Sequence, residues 1–214
     1  MTDHPILFSA PMVRAILDGR KTMTRRVLKP QPVMRGDNDC VITYERGKHT
    51  FSGPPDFLIR DILPTYGLRW RPGDRLWVKE TYYLTDDGDH TQVVYAADDI
   101  AVRDHIAGVQ EMQRKHGLSD DWIAPHLKKR PSIYMPRWAS RITLAVEAVR
   151  VERLQDISEG DAEREGAEPT LVSPDGGSAP HVEGFCEIWA SIHGADAWDA
   201  NPWVSVTTFR RIEA

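Results

Sequence analysis

The 214-residue chain has 41% hydrophobic side chains and a mean hydropathy of -0.46, enough for an ordinary core. No run approaches the roughly 20 apolar residues of a membrane helix. Cys40 and Cys186 stand far apart without C-x-x-C spacing, which argues against a disulfide framework or a zinc site; with no signal-peptide pattern in MTDHPILFSAP, this predicts a cytoplasmic protein. A net charge of -5 excludes a protein that coats nucleic acid indiscriminately.

In chain order, Ile6-Leu7-Phe8 reads as a short strand, after which Ser9 and Pro11 signal a helix start and Gly19 its end. Lys21 to Leu28 reads as extended. Residues 31–70 are rich in Pro and Gly, with a hairpin of 41–44 and 49–51 about a turn at Arg46-Gly47. Arg71 to Asp74 is a turn, and strands are predicted over 75–83 and 91–97. Residues 99–130 read as a helical insertion, since Ile106, Val109 and Met112 recur at helical spacing. The clearest alternation, Ile142, Leu144, Val146 and Ala148, predicts a long strand over 142–154. Ser158-x-x-Asp161 resembles a capping box opening a short acidic helix that ends at Gly166. A loop over 167–181, an amphipathic helix over 182–193 and a strand over 203–209 complete the pattern. These elements predict an α+β, β-rich fold: one domain over 1–214, a small mixed β-barrel with a few flanking helices and insertions near 31–70, 99–131 and 167–181.

The basic residues are concentrated. Residues 19–36 hold six (Arg20, Lys21, Arg25, Arg26, Lys29, Arg35) and no acid, and residues 126–141 hold five (Lys128, Lys129, Arg130, Arg137, Arg141) and no acid. Two such segments suit one phosphate-bearing ligand, or are simply two solvated basic loops. Within the first, Gly19-Arg20-Lys21-Thr22-Met23-Thr24-Arg25-Arg26 puts a lysine near a threonine among arginines. A lysine with a lowered pKa can serve as base for a hydroxyl nucleophile, but a basic, phosphate-binding strand rich in threonine has the same composition. Within the second, Arg137-Trp138 followed by Arg141 suits phosphate contact plus stacking on a base, or a core tryptophan between exposed arginines. Trp77, Glu80 and Trp203 are further cleft candidates, though strand tryptophans also serve cores. His105, His116 and His126 lack ligand spacing, so neither metal nor cofactor is expected.

Taken together, the motifs resemble the ASCH branch of the PUA-like superfamily. The resemblance lies in Ile6-Leu7-Phe8 followed by a helix and Gly-Arg-Lys-Thr-x-Thr-Arg, in Pro72-Gly73-Asp74 entering Leu76-Trp77-Val78-Lys79-Glu80, in Leu154 to Gly166, and in Asn201-Pro202-Trp203-Val204 with Phe209. It leaves 31–70, 99–131 and 167–181 uncovered, and it is to longer, phage-type relatives. It implies a PUA-like barrel and a ligand that is a nucleoside, a nucleotide or single-stranded RNA, with no membrane and no obligate protein partner. A small bacterial ASCH enzyme deacetylates acetylcytidine with a lysine, a threonine and a glutamate; these fall on Lys21, Thr24 and Glu165. The implied catalytic roles are Thr24 as nucleophile, Lys21 as its base and Glu165 as orienting or proton-donating group. Beside these, the reading of the residues themselves makes Arg25, Arg26, Trp77, Glu80, Arg137, Trp138 and Arg141 the candidate substrate-binding set. The double arginine and the greater length depart from that enzyme, so a non-catalytic RNA or nucleotide reader and a ribonuclease stay open beside the amidohydrolase.

Overall fold

The computed structural model describes residues 2–34, 40–44, 49–54, 57, 68–86, 91–170 and 179–213. In chain order its elements are β1 (Asp3–Leu7), α1 (Ala10–Leu17), β2 (Met23–Val27), β3 (Val33–Met34), β4 (Cys40–Tyr44), β5 (His49–Gly53), β6 (Arg75–Lys79), β7 (Tyr82–Asp86) and β8 (Thr91–Tyr95). There follow α2 (Asp99–His116), α3 (Asp120–His126), β9 (Thr143–Arg153), α4 (Glu159–Arg164), α5 (Pro180–His193) and β10 (Trp203–Ile212). The fold is α+β. Its residues gather into two compact units, one of Arg20–Asp74 with Ala145–Arg210, the other of Thr2–Gly19, Arg75–Leu144 and Arg211–Ala214.

In the first unit β10 lies between β9 and β2. β2 and β10 are antiparallel, with Val27 opposite Val204 and Met23 opposite Thr208. α4 and α5 cover an apolar cluster of Met23, Leu154, Phe185, Trp189, Val204 and Val206. Each large side chain buried there contributes about 1.5–3 kcal/mol by leaving water. β3, β4 and β5 form a separate antiparallel sheet, in which Ile42 faces Phe51 as the hairpin pattern predicts. The predicted turn at Arg46-Gly47 lies outside the described residues, as do parts of the 31–70 and 167–181 insertions.

In the second unit β1 runs parallel to β6, Asp3 opposite Arg75 and Leu7 opposite Lys79. A parallel pair cannot be closed by a tight turn; α1 follows β1 and buries Val13, Ala15 and Ile16. Ser9 occupies the start of α1 with extended backbone, and Pro11 sits in its first turn, but the Ser9 side chain makes no capping hydrogen bond. β7 and β8 pair antiparallel over a cluster of Tyr82, Met135 and Ala139.

Two expected elements are broken. The strand predicted over 75–83 divides at Glu80-Thr81, where Glu80 turns inward to an arginine and Tyr82 bridges to Arg130. The 99–130 insertion breaks after His116 because Gly117 adopts a left-handed φ of 62° and ends α2. The expected barrel is also corrected: among the described residues no ladder returns to its first strand, so none closes. Alternation predicts which residues face a core, and it carries no information about closure. No described helix is long and apolar enough to cross a membrane.

Candidate functional site

Gly19, with φ of 77°, turns the chain from α1 toward β2. The next residues are clamped from both sides: Thr22 donates its N–H to Arg164 at 2.9 Å, and Phe209 donates to the Thr22 carbonyl at 2.9 Å. Ser158 caps α4 by accepting the Asp161 N–H at 3.2 Å, as its spacing predicts, and Gly166 (φ 81°) follows the helix end. Glu165 therefore stands at the C-terminal end of α4, beside the start of β2.

There it meets Lys21. The ammonium donates to Glu165 Oε2 and to the Glu165 carbonyl, both at 2.7 Å. The two side chains are 0% and 4% exposed. Burial pushes the Lys21 pKa below the usual lysine value; the charge and hydrogen bond of Glu165 oppose this, and Arg26 and Arg25 add repulsion that lowers it further.

Arg25 projects to the same carboxylate. Its Nη1 reaches Glu165 Oε1 at 3.3 Å, and its Nη2 reaches Glu152 Oε1 at 2.5 Å and Asp161 Oδ2 at 3.1 Å. Arg150 closes the outer side, donating to Glu152 Oε2 at 2.7 Å and to Asp161. Lys21 lies two residues before β2 begins, while Arg25 reaches the carboxylate from the strand itself, with its Nη1 also 3.5 Å from the Met23 sulfur two residues back. Thr24 is buried on β2 opposite Thr207. Arg26 is exposed. Protein packed around its guanidinium lowers its pKa, Glu165 opposes and Arg69 repels, yet an arginine stays protonated at any working pH. The first unit thus brings Lys21, Glu165 and Arg25 into direct contact, with Arg26 in the field of the same carboxylate.

Trp203, at the start of β10, also belongs to the first unit, with the Arg153 guanidinium 4.4 Å from its ring centre; the second unit holds Trp77, Glu80, Arg137, Trp138 and Arg141. Arg141 grips Glu80 through two bonds of 2.9 and 3.0 Å and Asp98 through two of 2.6 and 3.1 Å. Its guanidinium carbon lies 3.9 Å from the centre of the Tyr95 ring. Burial raises the Glu80 carboxyl pKa, Arg141 opposes, and Asp98 adds to the rise. Burial also works against the Arg141 charge, but the bonds and charges of Glu80 and Asp98 outweigh it and lift its pKa. Trp77 lies under two cations, Lys79 at 5.5 Å and Arg137 at 5.8 Å. Arg137 also approaches Asp3 at 3.9 Å. Beside them Ile133, Tyr134 and Trp138 are 61%, 74% and 64% exposed.

Sequence reasoning missed Glu152, Asp161, Arg150, Asp98, Tyr95 and Tyr134 as members of these groups. Arg150 and Glu152 share a face of β9 by their spacing, a signal that was available; Asp98 and Tyr95 carry none. Among the described residues no group of three His, Cys, Asp or Glu side chains is placed to hold a metal. Comparison with protein-family models, with curated proteins and with solved structures finds no match.

Proposed function

We propose that the chain is an ASCH-type, PUA-like protein whose first unit removes the acyl group from a modified cytidine-type nucleoside. The observation that supports this most is the buried Lys21 ammonium on the Glu165 carboxylate, three residues before a buried threonine. A lysine whose pKa is lowered by burial and by neighbouring arginines gives up its proton more readily than an ordinary lysine, which suits a general base. In the reaction, Thr24 Oγ bonds to the acyl carbonyl carbon while neutral Lys21 takes the hydroxyl proton. The carbon–nitrogen bond then breaks as Lys21 returns that proton to the departing amine. Water next attacks the threonine ester, releasing the carboxylic acid and restoring Thr24. Arg26, a fixed cation beside Glu165, is suited to the oxyanion that develops.

The second unit favours a second reading, a non-catalytic reader of single-stranded RNA or a nucleotide. Its support is the exposed Tyr134 and Trp138 beside Arg137, which offer stacking faces and a phosphate contact; the closure of Lys21 to solvent supports it too. Incubation with a panel of acylated and unmodified nucleosides, with detection of the free acid, separates the two. Release of acid by the native chain, abolished in Lys21→Ala and Thr24→Ala and partly kept in Thr24→Ser, supports the hydrolase. No release from any nucleoside, with binding of oligonucleotide lost in Trp138→Ala, supports the reader.

A further inference from the structure

Arg25 is an unusual residue to find in a substrate-binding set. Its side chain is 0% exposed, and both of its terminal nitrogens already bond to carboxylates, which leaves neither for a ligand. One face of its guanidinium is covered by the Phe185 ring, 5.9 Å away. A buried arginine without counter-charges would cost several kcal/mol, and three carboxylates answer it: Asp161 within α4, Glu165 at the end of α4, and Glu152 on β9. The result is a ladder of alternating sign. Lys21 meets Glu165, Glu165 meets Arg25, Arg25 meets Glu152 and Asp161, and these meet Arg150, which is 43% exposed at the surface. Three cations and three anions balance within it.

We propose that Arg25 is a positioning residue for the Lys21–Glu165 pair, held in turn by Glu152 and Asp161, and that it does not itself touch a ligand. Arg25 and Lys21 take different oxygens of one carboxylate, Oε1 and Oε2, so the guanidinium fixes the plane in which the ammonium sits. The other charges that bear on the pair are Arg26 on β2, with Arg69 and His193 close to Arg26, and Arg164, which reaches Asp161 at 3.4 Å. The ladder couples a surface ion pair to a fully enclosed lysine.

The inference rests on the reading of Lys21 as the proton carrier, but its test reads the lysine directly. The Lys21 side chain is titrated by NMR in the native chain and in Arg25→Gln, Arg25→Lys, Glu152→Gln and Asp161→Asn. Loss of the Arg25 charge removes repulsion, so Arg25→Gln should raise the Lys21 midpoint by about one unit, and Arg25→Lys should bring it most of the way back. Loss of an outer carboxylate should move it the other way, downward, by a smaller amount. If Arg25→Gln does not fold, the two outer variants, whose side chains keep some exposure, carry the test alone. Shifts of one sign in all variants, or no shift in the outer pair, would overturn the proposal. Absence of deacylation with these opposite shifts intact would sink the hydrolase and leave the ladder standing.

Discussion

The Glu159 carboxylate accepts the backbone N–H of His181 at 2.6 Å, and its second oxygen accepts that of Val182 at 3.1 Å. These are donors of the first turn of α5, which has no capping side chain of its own. A residue in the first turn of one helix thus caps another. Glu159→Gln retains one acceptor and should cost roughly 0.5 kcal/mol, whereas Glu159→Ala should cost about 1–2 kcal/mol. Chemical denaturation measures the loss, and faster amide exchange at His181 and Val182 locates it.

How α5 packs yields a sharper expectation. A Cβ added to Gly184 would lie 2.0 Å from the Glu168 carbonyl oxygen, a backbone atom that cannot swing aside. Gly184→Ala should therefore destabilise by about 3 kcal/mol or more although alanine favours helices. A substitution that left the denaturation midpoint unchanged would show that the 168 segment yields freely.

Arg141 and Glu80 make a prediction about the second unit. Glu80→Ala leaves a guanidinium with only Asp98 and should cost about 3 kcal/mol. Arg141→Lys keeps the charge but cannot supply four bonds in one plane or lie flat on Tyr95, so it should also destabilise, by about 1–2 kcal/mol. Both are read by denaturation of the purified variants.

His193 gives the pH dependence its sign. Burial lowers its pKa below the ordinary 6.5, and Arg26 and Lys29 lower it further. The unfolded imidazole takes its proton at about 6.5 while the folded one resists, so this contribution is present above pH 6.5 and is lost as pH falls through the folded midpoint. His193→Gln should narrow the difference in denaturation midpoint between pH 7.5 and 5.5. Lys29→Gln should move the His193 NMR titration upward.

Much of this was legible from periodicity. The strand expected over 142–154 is β9 at Thr143–Arg153, and the helix over 182–193 is α5 from Pro180. Ser158 and Gly166 bracket α4 because capping and left-handed backbone are written in single residues. The meeting of Lys21 with Glu165 was expected only from the family resemblance, and the geometry brings the two into contact. The destination of Arg25 was not legible. A period of two shows which face of β2 it occupies, but Glu152 and Asp161 are more than a hundred residues away and nothing local pairs them with it. Strand closure and the break at Glu80 were hidden for the same reason: each depends on a distant partner, not on local pattern.

The pairing of β2 with β10 has a consequence for synthesis of the chain. Met23 meets Thr208 and Val27 meets Val204, so β2 leaves the ribosome long before its partner exists. At roughly 5–20 residues per second the wait is on the order of ten seconds. Throughout it, Met23 and Val27 are part of an open edge, the kind of surface that invites wrong pairing. Lys21, Arg25 and Arg26 keep that waiting segment charged and water-seeking. Only when Glu152, Asp161, Glu165 and then β10 arrive do Lys21 and Arg25 meet their anions and the strand its neighbour, so two charges that end enclosed first keep the nascent strand water-seeking.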